Sequence, residues 1–578
     1  MTARPWRRWD ARYGVALALL LGVALALRLW GIRSGLPWVY NVDEGDHFVP
    51  EALRMLHGNL EPRSAGGRAY LANPPAFTYL IAVAYELWFG GLAAASHVYR
   101  SRDPAEVWVL ARVVCALLGT LAVWLLYGAG RRLFDRATGL LAAATMAVAF
   151  LPVFYSKLAL NDVPALVGVC LSLWGSAAAL RDGSRRGYAV AGIGLGLAAA
   201  TKYTGGIVVL ALLAATAARG RGGPRGGRGT AARRDAAVGT AIAAVAALAA
   251  FIALNPYAVA DWNAFTNAIA HQSSESAQTG KLGLTHGGGI VYYLWSLTWG
   301  VGWAPAIIAG LGALALARLD RWAAAMLVPM AVVYLIFMGL QGRYFGRWVL
   351  PIVPIVCLLA AYAAIAGARG LARGSRGARA AMAGAFAVGL CVQGVVASVH
   401  SGVVNARADT RAAALHYLID TFRPHTRIVV EPIAPAHWGG RFSGFPALLS
   451  HRGRGGGLRI FAGTPVTLED YERTLSPALL RLYEHGDFCL VVTGSTEEGR
   501  ALVDPAAVPA AVAYYRALAS QGTPLFSASP YAVGAAPVAF NFDWSFDFYP
   551  SAYARPGPSI AIYELHGGRC ATSPPSLR

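Results

Sequence analysis

Charged residues are scarce in this sequence, 14% of 578 positions, against about a quarter in an ordinary globular domain. That all but excludes a water-soluble enzyme of this length. Lysine is nearly missing: only Lys157, Lys202 and Lys281 occur, which leaves 47 arginines. Acids are also few, 30 in all, so the formal net charge is +20. The chain is nonetheless not of the disordered kind. Its residues are 56% hydrophobic with a mean hydropathy of +0.46, the reverse of a disordered composition. No internal repeat of fixed period is present. A basic surplus fits nucleic acid, anionic lipid or membrane topology, and the positions of the arginines decide among them.

What is present is a series of long apolar runs. A bilayer core of roughly 30 Å needs about 20 apolar residues per helix. Such runs lie near 14–33, 107–130, 138–156, 164–180, 236–254, 290–317, 322–339, 348–367 and 379–399. The first is no cleavable signal, since no small-residue cleavage site follows it and Arg28 interrupts its end. One further run, 187–218, is too long for one helix and is broken at Thr201-Lys202-Tyr203-Thr204-Gly205-Gly206.

Arginine clusters punctuate these runs at residues 4–12, 131–136, 181–186, 219–234, 318–321 and 369–379. All of them fall on one side only if 187–218 crosses twice. The positive-inside rule then predicts eleven spans, a cytosolic N-terminus and an exterior C-terminus. The cytosolic segments hold 22 arginines against five acids, so most of the +20 is topology and no nucleic-acid partner is implied. The Gly- and Arg-rich 219–234 reads as a solvated linker.

Composition changes near residue 400. Segments 427–431, 458–462, 487–493 and 559–565 read as short buried strands, and 408–422, 467–484 and 497–519 as helices. The expected organisation is a membrane domain over 1–400, with a long first exterior loop at 34–106, and an exterior α/β domain over 401–578. Within the loop, 47–57 and 74–95 suit helices lying along the interface or re-entering it. Four of the six cysteines lie in spans. Cys489 and Cys570 share the exterior domain and are able to pair, although Cys489 reads as a buried strand residue, which weighs against it.

Short basic cytosolic loops leave the acids, histidines and aromatics outside. The first exterior loop carries Tyr40-Asn41-Val42-Asp43-Glu44-Gly45-Asp46-His47. Three carboxylates in four positions repel one another, so they suggest a base, a cation site or simply a well-hydrated loop. The second turn reads Ser156-Lys157-Leu158-Ala159-Leu160-Asn161-Asp162-Val163-Pro164. Lys202 and the segment Gln341-Gly342-Arg343-Tyr344-Phe345-Gly346-Arg347 add cations near the same face. Arg347 and Trp348 read as an interfacial anchor. Arg343 and Lys202, beside tight helix breaks, are well placed for a phosphate.

Convergent cations plus a carboxylate suit transfer from a lipid-linked phosphosugar. The phosphate leaves as an anion, so it needs cations and no strong acid. The acceptor needs one base, a role open to Asp or Glu in a low-dielectric pocket. A glycoside hydrolase requires a second flanking carboxylate instead. A transporter or lipid flippase is the rival reading, but it favours mid-membrane ionisable residues and inverted repeats, whereas here the polar groups collect at one face. A membrane-anchored binding protein working through 401–578 alone is the third.

The run Asp43-Glu44, Ala52, Met55, Gly58, Pro62, Tyr70 and Pro74-Pro75 resembles the first loop of C-type glycosyltransferases. The likeness is to the bacterial polyprenyl-phosphate-dependent branch of protein O-mannosyltransferases and aminoarabinose transferases. The second turn, the ATKYTG break, GRYFGRWVLPIVPI, Asp409-Thr410-Arg411 and PGPSIAIYEL are similar to that branch's later motifs. The resemblance implies an inverting transferase in a bacterial plasma membrane. Asp43 would be the base, with Glu44 and Asp162 supporting the site, and Lys157, Lys202, Arg343 and Tyr344 holding the donor phosphate. His47, Asn73, His271 and His286 would border the acceptor cavity. Asn73 departs from the pattern, since many bacterial members carry Lys there, and Lys202 or Arg343 would have to supply the missing charge. The implied partners are a polyprenyl-phosphate sugar donor, an exterior glycan, lipid or protein acceptor, and membrane lipid. No metal or other cofactor is implied.

Overall fold

The computed structural model describes residues 11–55, 58–63, 69–101, 103–222, 230–279, 281–284, 288–372, 375–422, 426, 428–433, 458–460, 464–466, 468–486 and 488–565. The chain divides into two compact units, one of 1–32, 46–277 and 287–399 and the other of 33–45, 278–286 and 400–578. Sequence reasoning keeps all of 34–106 with the membrane part. The structure gives 33–45 to the second unit, because Trp38 is buried in that unit's core.

The first unit is helical. It opens with α1 (Ala11–Leu29), and the short α2 (Val42–Asp46) carries the chain from the second unit back into the first. Then come α3 (Val49–Arg54), α4 (Ala76–Phe89), α5 (Leu92–Tyr99), α6 (Ala105–Leu133), α7 (Arg136–Val148), α8 (Phe150–Tyr155) and α9 (Pro164–Asp182). Next are α10 (Arg185–Thr201), α11 (Val209–Gly220), α12 (Thr230–Leu254), α13 (Tyr257–Ala260) and α14 (Trp262–Ala277). The set closes with α15 (Gly289–Gly300), α16 (Trp303–Leu319), α17 (Arg321–Gly339), α18 (Val353–Leu371) and α19 (Arg376–Asn405). The protein is a polytopic membrane protein.

Against eleven expected spans, eight helices among the described residues are long and apolar enough to cross a membrane, or ten if two bent pairs count. Segment 187–218 does divide in two, as expected, but α10 has only 17 residues. The run 138–156 divides at Ala149 into α7, of 13 residues, and α8. The run 290–317 bends by 117° between α15 and α16, and α4 and α5 meet at 92°. Gly90 and Gly91, both at positive φ, make the second of these corners.

Small residues bring the functional helix ends together. A methyl group at Gly168 or Gly175 would overlap the backbone of Ala198 or Ala191, so α9 and α10 touch backbone to backbone. Such seams are how helices associate where lipid removes the hydrophobic drive. The contact runs antiparallel and sets the start of α9 beside the end of α10.

The second unit holds α20 (Thr410–Thr421), α21 (Ala478–His485), α22 (Ser495–Val503), α23 (Pro509–Gln521) and α24 (Trp544–Asp547). Its strands are β1 (Ile428–Val430), β2 (Leu458–Ile460), β3 (Thr464–Val466), β4 (Leu490–Gly494), β5 (Gly522–Ala528) and β6 (Ile560–Leu565). The main sheet runs β1-β4-β6-β5, parallel only between β1 and β4, while β2 and β3 form a separate hairpin. Strand β5 escapes sequence reading because Gly522 and Pro524 interrupt it, and an edge strand tolerates both. The expected helix 497–519 breaks after Val503, where Pro505 and then Pro509 stop it. Cys489 is in a disulfide, against the weight of the sequence argument, and it is only half-buried. Cys570 lies outside the described residues.

Two motifs noted in the sequence meet inside this unit. Asp409 caps α20 by accepting from the Arg411 N–H at 2.8 Å, and Gly557, at φ +105°, lies where any side chain would strike Asp409 and Thr410. The Arg411 guanidinium stacks 3.5 Å from the Tyr40 ring centre.

Glu497 is buried in the same unit. Burial first, and Glu472 after it, push its carboxyl up to about 7 against the pull of Arg500 and Arg411. The folded chain therefore holds a proton that the unfolded chain releases above its ordinary 4.5, and stability falls as pH rises between those values. Glu497→Gln should match wild type near pH 4.5 and exceed it by roughly 3 kcal/mol at pH 8. Thermal unfolding of the detergent-solubilised chain across that range measures the difference.

Candidate active site

The clearest polar meeting point in the first unit lies where α9 begins and α10 ends. Lys202 closes α10 in extended conformation (φ −151°), its N–H still donating to Ala198. A short 3-10 helix, Tyr203–Val208, follows. The Lys202 ammonium donates to Asp162 Oδ1 in an ion pair, with Asp162 buried. Beside it Asn161 Nδ2 donates to the Thr201 carbonyl at 2.8 Å. The Tyr203 hydroxyl donates to the Leu71 carbonyl at 2.8 Å and ties this break to the segment that carries half-buried Asn73.

Lys157 follows α8 and is buried. Burial, and after it the Arg28 guanidinium, push the Lys157 ammonium down to about 7. Arg28 is the residue sequence reading passed over as the end of a span. It is fully buried and donates to the carbonyls of Ala24 at 2.9 Å and Ala147 at 3.0 Å. Among the described residues its Nε and Nη2 have no hydrogen-bond partner. Gly119 lets it lie there, since a Cβ at that position would meet Ser156 Oγ, Arg28 Nε and Val163. The available signal was an arginine inside an apolar run, which marks function more often than topology.

Arg343 lies on the loop after α17. It pairs with Glu275 at 3.2 Å, and the N–H groups of Gly342 and Arg343 both donate to the Ser276 carbonyl. It anchors the end of α14 to the loop after α17. Tyr344 is buried against Tyr292, with ring centres 4.6 Å apart. The 3-10 helix that follows, Gly346–Ile352, packs against α8, α9 and Tyr203–Val208. The backbone thus gathers Lys157, Asp162, Lys202 and the 343–346 segment around one end of the helical unit.

His47 donates to or accepts from Glu51 at 3.2 Å and stacks on Tyr70 at 4.8 Å. Thr78 donates to the other oxygen of buried Glu51 at 3.4 Å. His271 is exposed on α14. His286 lies outside the described residues. Asp43 and Glu44 fall in the second unit on α2, Asp43 half-buried and Glu44 buried. Asn41 caps this turn, its Oδ1 accepting from the Glu44 N–H at 3.0 Å. Among the described residues no group of three or more His, Cys, Asp or Glu side chains is placed to hold a metal ion.

A bundle of apolar helices whose ionisable side chains are buried at one end defines a membrane protein with a polar site at a bilayer face. Comparison with known proteins sharpens the class. Residues 106–225 match the family described as dolichyl-phosphate-mannose-protein mannosyltransferase. No curated protein matches the chain. Among solved structures, the apo oligosaccharyltransferase of Archaeoglobus fulgidus is 14% identical, with 93% of this chain and 76% of that chain covered and a TM-score of 0.56. Apo ArnT from Cupriavidus metallidurans is 15% identical over 96% of this chain and 98% of its own, with a TM-score of 0.51. In fold, the chain is similar to these two membrane transferases.

Proposed function

We propose that the protein is an inverting glycosyltransferase that moves a sugar from a polyprenyl-phosphate carrier to an acceptor on the exterior face of a bacterial plasma membrane. The observation that carries this reading is the pair of buried cations Arg28 and Lys157 near the Lys202 helix break, within a C-type glycosyltransferase fold. Guanidinium and ammonium groups are the side chains that hold phosphate. A departing lipid phosphate is an anion of that kind. Among solved structures of this fold, one is of archaeal AglB in complex with an inhibitory peptide and a dolichol-phosphate, at a TM-score of 0.54.

In this reading Lys157, Lys202 and Arg28 hold the donor phosphate. Arg343 and Tyr344 shape the donor side, and Arg343 also fixes the loop through Glu275. Asp162 orients Lys202 through their ion pair. Asp43 takes the acceptor proton while the acceptor attacks the anomeric carbon from the face opposite the phosphate, with Glu44 in support. His47 and Asn73 border the acceptor side. No metal enters the proposed step, as the family resemblance implies. The N-terminus and the arginine-rich loops face the cytosol, and the second unit faces outward.

The direct test gives the purified chain a radiolabelled polyprenyl-phosphate sugar together with envelope extract from cells lacking the gene. Appearance of label in a glycan, lipid or protein fraction supports the reading. Unaltered donor, with envelope glycans identical by mass spectrometry in cells with and without the gene, sinks it.

Lys157 adds a pH signature. Its low proton affinity means that the phosphate site loses a cation as pH rises through about 7. Affinity for polyprenyl phosphate should fall by up to about tenfold per pH unit above that point, until the higher pKa of the complex is reached. Lys157→Arg keeps its charge and should flatten the profile, which titration from pH 6 to 9 will show. A profile unchanged in that variant removes Lys157 from the phosphate site.

A further inference from the structure

Two glycine seams, not one, build the corner where Lys202 sits. Besides its contact with α9, helix α10 lies against α12. A Cβ at Gly192 would come within 2.2 Å of the Ala243 carbonyl oxygen, and one at Gly196 within 2.3 Å of that of Ala247. Residue numbers rise together along this seam, so α10 and α12 run parallel with their backbones touching. Carried on at the same offset, the seam brings the end of α12 level with the end of α10. Lys202 follows the one and Asn255 the other. Helix α12 stops there because Pro256 disfavours helical backbone at the residue before it. A neutral amide therefore stands beside the proposed phosphate cation.

Asn255 is fully buried, and its neighbour fixes which way the amide points. The Tyr203 hydroxyl donates its only proton to the Leu71 carbonyl at 2.8 Å, so toward Asn255 it presents lone pairs. Asn255 Nδ2 faces it and donates to it at 3.4 Å, which turns Oδ1 the other way. Among the described residues that Oδ1 has no hydrogen-bond partner. Flipping the amide gives no relief, since two oxygens would then meet and the nitrogen would lose its acceptor. An unpaired buried acceptor destabilises a fold, and native structures hold few that no ligand or water explains.

An amide oxygen without a partner calls for a donor, and that requirement separates the parts of the proposed substrate. An ionised phosphate offers only acceptor oxygens, and a polyprenyl chain offers neither donor nor acceptor. The sugar carries hydroxyls. An ammonium group fits less well, because the amide has no charge to set against it and Asp162 is already paired with Lys202. We propose that Asn255 reads the donor sugar, its Oδ1 accepting from a sugar hydroxyl. Tyr203 is the positioning residue that holds the amide in this orientation. The inference rests on the transferase reading above and adds to it a contact to the sugar itself, selecting a neutral, hydroxylated one.

The test measures donor binding with no acceptor present, so a contact made only to the acceptor leaves it unmoved. The full chain in detergent is titrated with undecaprenyl phosphate, bare or carrying mannose, glucose or arabinose. Wild type should bind at least one loaded carrier more tightly than the bare one. Asn255→Leu keeps the size of the side chain and removes the acceptor. It should weaken binding of that loaded carrier about three- to tenfold, as for one hydrogen bond, and change bare undecaprenyl phosphate by less than about twofold. Thermal stability of the ligand-free variant should equal or exceed wild type, because an unpaired buried acceptor is gone. Asn255→Asp at pH 5, where burial keeps its carboxyl protonated, retains an acceptor and a donor and should lose less than about twofold. Equal affinities of wild type and Asn255→Leu for every loaded carrier, an equal loss for bare undecaprenyl phosphate, or a ligand-free Asn255→Leu that no longer folds would overturn the role of Asn255. Failure of wild type to bind bare undecaprenyl phosphate would overturn the transferase reading as well.

Discussion

Asp43→Asn should lower the rate of sugar transfer by about 10²- to 10⁴-fold, the range that a positioned general base contributes. Affinity for the donor should stay within about threefold, because the amide keeps the size of the side chain and the proposed phosphate contacts lie on other residues. The fold should be preserved. Asp43 is half-buried on α2, and the cap of that turn is Asn41, whose bond goes to the Glu44 N–H. Glu44→Gln is the informative companion. Glu44 is buried two residues before the chain passes into the other unit, so its loss should fall on protein yield and substrate affinity more than on the chemical step. Single-turnover measurement with labelled donor separates the two. Near-wild-type turnover in Asp43→Asn removes Asp43 as base, and a larger loss in Glu44→Gln than in Asp43→Asn moves the role to its neighbour.

Lys202→Met should produce the second large effect, in two separable parts. It leaves the Asp162 carboxylate buried without its ammonium. Breaking one side of a buried pair costs about 3–5 kcal/mol, and partial exposure of Lys202 puts this case near the lower figure. It also removes one proposed contact to the donor phosphate, worth about 1.5–3 kcal/mol for a charged hydrogen bond, or roughly 10- to 100-fold in donor affinity. Asp162→Asn combined with Lys202→Met takes away both charges. The double variant should regain most of the thermal stability and little of the donor affinity. Recovery of both would make Lys202 a structural partner of Asp162 and nothing more.

Much of this was legible in the sequence. The apolar runs follow from bilayer thickness, and the division of 187–218 into two helices follows from its length and the polar break at Lys202. The break at Lys202 was visible because Gly205 and Gly206 follow a β-branched threonine. The strands β1, β4 and β6 announce themselves as short β-branched runs. Strand β5 does not, since Gly522 and Pro524 hide an edge strand that only its pairing with β6 reveals. Span counting was less secure than span finding. The bend between α15 and α16 and the division at Ala149 depend on how helices pack, and hydropathy is blind to it.

The charges of the candidate site show the same limit residue by residue. Sequence placed Lys202, Asp162 and Arg343 near one face but treated the cations as equally available. The structure gives Lys202 to Asp162 and Arg343 to Glu275, and it raises Arg28 from the end of a span to a neighbour of Lys157. Partner choice depends on side-chain reach across helices 40 to 130 residues apart in sequence, which no local pattern encodes.

By itself, then, the sequence determined the solvent this chain lives in. That is a one-dimensional consequence of transfer free energies summed along the chain. Tertiary structure decided which of the few charges are spent on each other and that Arg28 and Lys157 are both buried. Burial and pairing are set in three dimensions, by glycine seams such as that between α9 and α10 that bring distant helix ends into contact.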